Sequence, residues 1–160
     1  MAHAAVMPTS APLRARSTIP GTQRSVRTAR TFVDAVLGPA HPGGDTARLL
    51  VSELVTNAIQ HSDSALPGGR VTVAILAVPG GIQVEVIDEG SAHSVPVVCE
   101  DPLGTHGRGL FLVQSLADDW GYHRGDGATT VWFRLAALPA GWLAAAACPG
   151  RRLLALAQPH

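Results

Sequence analysis

Lysine is absent from this sequence, and all twelve of its basic residues are arginine. This absence excludes a P-loop, whose lysine reaches the phosphates of a nucleotide, and the ordinary protein-kinase fold, whose strand lysine does the same. Cysteine is scarce as well. The two cysteines, Cys99 and Cys148, have no histidine or cysteine nearby at metal-ligand spacing, so they indicate neither a zinc site nor a disulfide framework. They are typical of free thiols in a reducing cytoplasm.

Charge is also sparse, because only 15% of the residues are charged and the formal net charge is zero. Nothing therefore favours a nucleic acid or an anionic membrane as a partner. No apolar run is long enough to cross a membrane, since the uncharged stretch 135–150 is broken by Pro139. The 160 residues, 46% of them hydrophobic, are sufficient for one soluble domain with a real core.

Two tails flank the predicted domain. Residues 1–21 are rich in Ala, Pro, Ser and Arg without a hydrophobic period, which predicts a disordered N-terminal tail. Such a start can mimic an organellar transit peptide, but Arg24, Arg27 and Arg30 are spaced as the solvated face of a following helix, which favours the tail. We expect the domain to occupy residues 22–137 and a C-terminal tail to occupy residues 138–160.

Between the tails, the hydrophobic period predicts an orderly series of elements. We expect a helix over 22–37, a second helix from an N-cap at Asp45 to His61, and a hairpin of strands 70–78 and 82–86. A long loop over 90–106, a candidate lid, precedes a helix over 109–119 and a second hairpin of strands 120–124 and 129–135. This order predicts an α+β fold: a two-layer sandwich in which helices cover one face of a mixed, mostly antiparallel sheet.

The first segment that carries chemistry is the helix over 49–61. Glu53, Asn57 and His61 recur every four residues, so they lie along one stripe. The adjacent stripe is apolar and suits a core; it consists of Leu50, Val51, Leu54, Val55 and Ala58. A carboxylate and a carboxamide at the edge of an apolar face can support metal and proton chemistry at a pocket wall.

Two glycine-bearing segments follow. In the segment 84–90, a strand ends at Asp88, a carboxylate that can accept a hydrogen bond from an exocyclic amine, and Gly90 lets the backbone turn close to whatever Asp88 touches. In the segment 104–113, glycines meet the start of a helix, where free N–H groups and the helix dipole favour phosphate, and Arg108 adds a positive charge. Taken singly, the first of these segments is also typical of an ordinary turn, and the second is also typical of a flexible connection.

In this order, the three segments resemble the N box and the two glycine boxes of the GHKL ATPase superfamily, whose domain is the Bergerat fold. The resemblance covers residues 26–135 and is strongest in Glu53-Leu-Val-Thr-Asn57-Ala-x-x-His61. Within the superfamily, the chain is most similar to the small stand-alone branch: the anti-sigma-factor serine kinases and the related ATP-binding regulators of actinomycetes.

The resemblance implies ATP and Mg²⁺ as cofactors. Asn57 matches the residue that coordinates the magnesium, Glu53 the general base, and Asp88 the acceptor for the adenine amine, with Gly90 beside it. Thr130 matches the strand threonine that supports that aspartate, and His61 either lies near the nucleotide or is a surface residue at a helix end. The phosphates would be lined by Gly104, Gly107, Arg108, Gly109 and Leu110.

Two functions remain open at this point. The first is a cytoplasmic serine/threonine kinase that binds a sigma factor and phosphorylates an antagonist protein. The second is a non-catalytic module in which ATP or ADP controls partner binding. A detached catalytic domain serving a separate histidine-bearing protein is a third, weaker option, because the chain lacks dimerisation helices with a phosphoacceptor histidine. The first glycine box usually continues to a second glycine, which Gly90-Ser91-Ala92 lacks, and this favours the module, whereas Glu53 and Asn57 favour the kinase. The resemblance also implies a homodimer.

Overall fold

The structure is a computed structural model that describes residues 11–91 and 108–136. The described residues form a five-stranded sheet and three α-helices on one of its faces, which confirms the predicted α+β fold. The strands are β1 (Leu13–Pro20), β2 (Arg70–Val78), β3 (Gly81–Asp88), β4 (Asp119–Gly125) and β5 (Ala128–Leu135). The helices are α1 (Ser25–Leu37), α2 (Gly44–His61) and α3 (Arg108–Leu116), and a short 3-10 turn, Asp63–Ala65, follows α2.

The sheet has the strand order β1-β2-β3-β5-β4, and every neighbouring pair is antiparallel. Both predicted hairpins are confirmed: β2 and β3 meet at a turn through Gly80, and β4 and β5 meet at Asp126 and Gly127. Alternate residues of the central strands point toward the helices and are almost fully buried, because a strand places successive side chains on opposite faces. On β3 these core residues are Ile82, Val84 and Val86.

Helix α2 packs its apolar stripe into the centre of the core. All five residues predicted for that stripe are buried. Burying each of the larger side chains contributes roughly 1.5–3 kcal/mol, so this stripe is the main anchor of the helix. The polar stripe that carries Glu53 and Asn57 is therefore held at a fixed angle beside the core.

The beginning and end of the helices differ from the sequence predictions. Helix α2 begins at Gly44 with Gly43 at the N-cap, so the prediction of Asp45 as N-cap is wrong. Asp45 lies in the first helical turn instead, where the positive end of the helix dipole stabilises its carboxylate, which also accepts a hydrogen bond from Arg48. Helix α3 ends at Leu116 rather than at residue 119, because the chain is drawn to the sheet edge: the Asp118 N–H donates to the Arg134 carbonyl oxygen at 3.0 Å.

Strand β1 is the element that the sequence prediction missed. The predicted disordered tail, residues 1–21, is wrong for residues 13–20, which pair antiparallel with β2. As an edge strand, β1 buries Ile19 alone among its side chains, and it carries arginines and Pro20, so its sequence lacks the alternation of a central strand. The folded domain therefore includes the residues from Leu13 onward.

The remaining predictions about segments fall largely outside the described residues. Apart from Gly90 and Ser91, the candidate lid over 90–106 belongs to the range that is not described, and so does the predicted C-terminal tail over 138–160. Among the described helices, none combines the length and the apolar character that a membrane crossing needs.

Candidate functional site

The site begins on α2, where Glu53 and Asn57 lie one turn apart and are both half-buried. Their position follows from the packing of α2, because the buried stripe on one side leaves these two polar side chains at the rim of the core. Both side chains therefore remain partly accessible to solvent, and a carboxylate and a carboxamide with this exposure can act on a bound ligand.

Gly109, in the first turn of α3, packs against both of these side chains. A Cβ atom built on Gly109 would lie 2.8 Å from the Asn57 Nδ2 atom and 3.2 Å from a Glu53 carboxylate oxygen. Only a glycine therefore fits there without displacing them. The first and third sequence segments, more than 40 residues apart in the chain, thus meet at one place, where the start of a helix faces a carboxylate and a carboxamide.

Asp88 is the last residue of β3, as predicted, and its carboxylate is held by the backbone. It accepts hydrogen bonds from the Gly90 N–H, at 2.7 Å, and from the Thr129 N–H. Burial raises the pKa of Asp88, and the nearby Asp63 carboxylate raises it further, while the two N–H groups and Arg124 act in the opposite direction. Asp88 is therefore an oriented, partly desolvated acceptor.

Gly90 is required for a reason that differs from the prediction. Its φ is +64°, a left-handed conformation that favours glycine, and a Cβ there would lie 2.6 Å from the carbonyl oxygen of Gly127. The close approach is therefore to the β4–β5 turn of the protein itself. The Gly90 carbonyl oxygen also accepts a 2.7 Å hydrogen bond from the Asp63 N–H, so the turn after β3 is held from two sides.

The supporting threonine is Thr129, so the assignment of Thr130 is wrong. In the β3–β5 register, Thr129 lies opposite Asp88, and Thr130 lies opposite Ile87. Directly opposite residues share a face of the sheet, whereas consecutive residues point to opposite faces. Thr130 therefore points away from the helices and from the Asp88 face. Because the two threonines are adjacent in the sequence, only the register separates them.

The other predicted site residues have different placements. His61 is the last residue of α2 and is exposed. Leu110 is buried in the core, so its side chain anchors α3, and only its backbone is at the start of that helix. Arg108 is the first residue of α3. Gly104 and Gly107 lie outside the described residues.

Three residues near the site escaped the sequence prediction. Arg124 on β4 donates to the carbonyl oxygen of Ser91, just after the Gly90 turn. Asp63 and Ser64, in the 3-10 turn after α2, also bond the residues that follow Asp88. No sequence pattern marks these contacts, because they join segments that are at least 25 positions apart.

Replacing Asp88 by asparagine should change how stability depends on pH. Because the folded-state pKa lies above the ordinary value of 3.8, the folded protein binds this proton more tightly than the unfolded chain. The resulting contribution to the free energy of unfolding is complete below about pH 3.8 and is lost as the pH rises through the folded-state pKa. We therefore expect the Tm of Asp88→Asn minus that of the wild type to increase between about pH 4 and pH 7. Thermal unfolding across this range measures it, and a constant or falling difference would contradict the raised pKa.

Comparison with known proteins agrees with this arrangement. The sequence profile of the "Histidine kinase-like ATPase domain" family matches residues 19–135. The chain is 28% identical over 95 residues to the serine-protein kinase RsbW of Listeria monocytogenes, in both serotype 4a and serotype 4b strains. That match covers 52% of this chain and 60% of the RsbW chains, so this chain spans less than two thirds of the relatives' length.

Solved structures share this fold. Among them is the crystal structure of the RsbU and RsbW domains of a Mycobacterium tuberculosis protein, with a TM-score of 0.54 and 23% sequence identity. The similarity covers 78% of this chain and 33% of that one. With the family profile matching nearly the whole described domain, the resemblance drawn from the three sequence segments is confirmed. The chain belongs to the histidine kinase-like ATPase family, in the anti-sigma-factor-kinase-like branch of the GHKL superfamily.

Proposed function

We propose that this protein binds ATP with Mg²⁺ and transfers the γ-phosphate to a serine or threonine of a protein partner. The observation that carries the proposal is the contact of Gly109 with Glu53 and Asn57. It joins a helix N-terminus, which attracts phosphate, to a carboxylate and a carboxamide that can serve the chemistry at that phosphate.

The residues present fit both parts of the nucleotide. At the phosphate end, the absence of a side chain at Gly109 leaves a cradle that a Cβ would fill, and the amide oxygen of Asn57 is a hard ligand suited to Mg²⁺. Mg²⁺ draws many of its ligands from substrate phosphates and water, and within residues 11–91 and 108–136 no cluster of three metal-binding side chains was found. At the base end, Asp88 is an acceptor suited to the adenine amine.

In this proposal each side chain has one task. Asp88 orients the base, and Asn57 holds the magnesium, which when bound neutralises negative charge on the phosphates. Glu53 accepts the proton from the attacking hydroxyl, of a serine or of water, as general base. Gly109 lets α3 approach closely enough for its N–H groups to contact phosphate. In this scheme the γ-phosphate passes directly to the acceptor hydroxyl, without a covalent intermediate on the protein.

The partner is proposed from the family. The RsbW relatives are named serine-protein kinases, and this supports phosphorylation of a protein substrate. By the same resemblance, we expect a sigma factor or an anti-sigma antagonist as the bound protein, a cytoplasmic location, and a homodimer. All of these extend the domain-level similarity to the activity of the whole protein.

A second candidate is a nucleotide-dependent binding module without phosphoryl transfer. The observation that favours it is the bond from Arg124 to the carbonyl oxygen of Ser91, directly after Gly90 in the segment that lacks the second glycine of the family. This contact restrains the backbone at Ser91, beside the Gly90 turn. A restrained backbone next to the proposed base-recognition turn suits a protein that keeps its nucleotide bound rather than one that turns it over.

Calorimetric titration with Mg·ATP tests the proposed nucleotide site. We expect the wild type to bind only when Mg²⁺ is present, and Asn57→Ala to weaken binding by about 100-fold or more, because the variant removes the proposed metal ligand. Gln60→Ala is the matched control, since Gln60 is a carboxamide on the same helix that lines a groove with Gln23 and Val26 instead. Equal losses in the two variants, or no binding by a folded wild type, would refute the site.

A further inference from the structure

The 3-10 turn Asp63–Ala65 connects α2 directly to the turn that follows Asp88. The Asp63 N–H donates to the Gly90 carbonyl oxygen at 2.7 Å, and the Glu89 N–H donates to the Ser64 hydroxyl oxygen at 3.0 Å. Two consecutive residues after α2 therefore hold two consecutive residues after Asp88. Neither contact belongs to the sheet or to a helix, and the proposed chemistry does not require either of them.

Ser64 is rigidly enclosed. Its exposed fraction is 0%, and its own N–H donates to the Ser62 hydroxyl oxygen at 3.1 Å. Glycines pack against its backbone on two sides: a Cβ on Gly21 would lie 1.7 Å from the Ser64 carbonyl oxygen, and a Cβ on Gly69 would lie 2.2 Å from it. The Ser64 hydroxyl oxygen therefore has a fixed position, and it fixes the position of the Glu89 N–H that donates to it.

The two successive peptides that meet at the Glu89 Cα transmit this position to the Asp88 side chain. The same turn that donates to Ser64 through Glu89 also donates to the Asp88 carboxylate through the Gly90 N–H, at 2.7 Å. If the hydroxyl is removed, a half-buried Glu89 N–H loses its acceptor and gains by rotating toward water. That rotation would also move the neighbouring Gly90 N–H and release one of the bonds that orient the Asp88 carboxylate.

We propose that Ser64 is a positioning residue that sets the selectivity of the site for a base with an exocyclic amine, acting through the Glu89–Gly90 turn and Asp88. The inference rests on the proposed function, because it takes Asp88 as the acceptor for the adenine amine. It adds a residue outside the three sequence segments. It also explains why the end of α2, the helix of Glu53 and Asn57, is bonded to the base-recognition turn.

The test compares two nucleotides in two variants of the full chain. ATP and purine riboside triphosphate, which lacks the 6-amino group, are titrated with Mg²⁺ into the wild type and into Ser64→Ala. We expect the variant to bind ATP about 10-fold more weakly, the effect of losing one buried hydrogen bond, and the amine-free analogue less than about 2-fold more weakly. Ser25→Ala is the matched control, because Ser25 is also a buried serine but its hydroxyl bonds Thr22 instead of the Glu89–Gly90 turn; it should leave the ratio of the two affinities unchanged.

The outcomes separate this inference from the proposed function. A wild type that binds both nucleotides equally well removes the role of Asp88 and the inference with it. A wild type that prefers ATP while Ser64→Ala weakens both nucleotides equally, or neither, keeps the proposed function and overturns the inference, because the role of Ser64 would then be structural. If Ser64→Ala does not fold, Ser64→Cys, a weaker acceptor of similar size, should reduce the preference for ATP in the same direction; an unchanged preference overturns the inference.

Discussion

A Glu53→Gln variant is expected to bind Mg·ATP as well as the wild type does and to release or transfer the γ-phosphate about 1000-fold more slowly. The amide is nearly isosteric with the carboxylate, so its packing against Gly109 is preserved. It is not basic, however, and a positioned general base contributes roughly 100- to 10,000-fold to such a reaction. Binding and transfer therefore separate in this variant, whereas both should be lost together in Asn57→Ala.

The measurement uses ATP labelled on the γ-phosphate. Free phosphate reports transfer to water, and acid-stable label on a candidate antagonist protein reports transfer to serine or threonine. Label that is lost in acid would instead indicate phosphohistidine and a detached histidine-kinase domain. A wild type that binds ATP and releases no label by either route would select the binding module, and an unaltered rate in Glu53→Gln would refute the role of this residue as base.

The second large effect concerns the turn after β3. Gly90→Ala is expected to lower the free energy of unfolding by about 2–4 kcal/mol and to abolish ATP binding in the fraction that folds. Two costs combine: alanine is disfavoured at a φ of +64°, and its Cβ would lie 2.6 Å from the Gly127 carbonyl oxygen, which is backbone and cannot easily move. Relieving that overlap displaces the Gly90 N–H from the Asp88 carboxylate.

Gly80→Ala separates the two costs. Gly80 also has a positive φ, of +76°, but a Cβ there meets nothing within 4 Å. We expect this variant to lose only about 1–2 kcal/mol, from the backbone conformation alone, and to retain ATP binding. Urea unfolding of both variants measures the difference. Equal destabilisation of the two would mean that the contact of Gly90 with the β4–β5 turn has no energetic weight.

Periodicity predicted the elements that bury a whole face or stripe. Helix α2 and the two hairpins were predicted because burial on one side requires apolar residues every three to four positions in a helix and every second position in a strand. Strand β1 lacked this signal because it lies at the sheet edge and buries Ile19 alone among its side chains. The N-cap of α2 was misplaced for a similar reason: Asp45 suits either the cap or the first turn, and the packing of α2 decides between them.

The chemical residues divide in the same way. The sequence singles out Glu53, Asn57 and Asp88 through their spacing together with the family resemblance, and the structure places the first two against Gly109 and the third at the end of β3. The choice between Thr129 and Thr130 was not accessible, since it depends on which residue of β5 pairs with Asp88. A shift of one position in a strand register reverses the face of every side chain, and nothing local in two consecutive threonines determines that register.

The sequence by itself determined the fold class, the helix that carries Glu53 and Asn57, the strand that ends at Asp88, and the family to which these segments belong. The tertiary structure decided which residues meet: Gly109 with Asn57, Gly90 with Gly127, and Ser64 with Glu89. The reason is physical. Local patterns reflect the burial of one face of one element, whereas these contacts join backbone and side-chain atoms from segments far apart in the chain, and their positions exist only once the sheet register and the helix packing have been established.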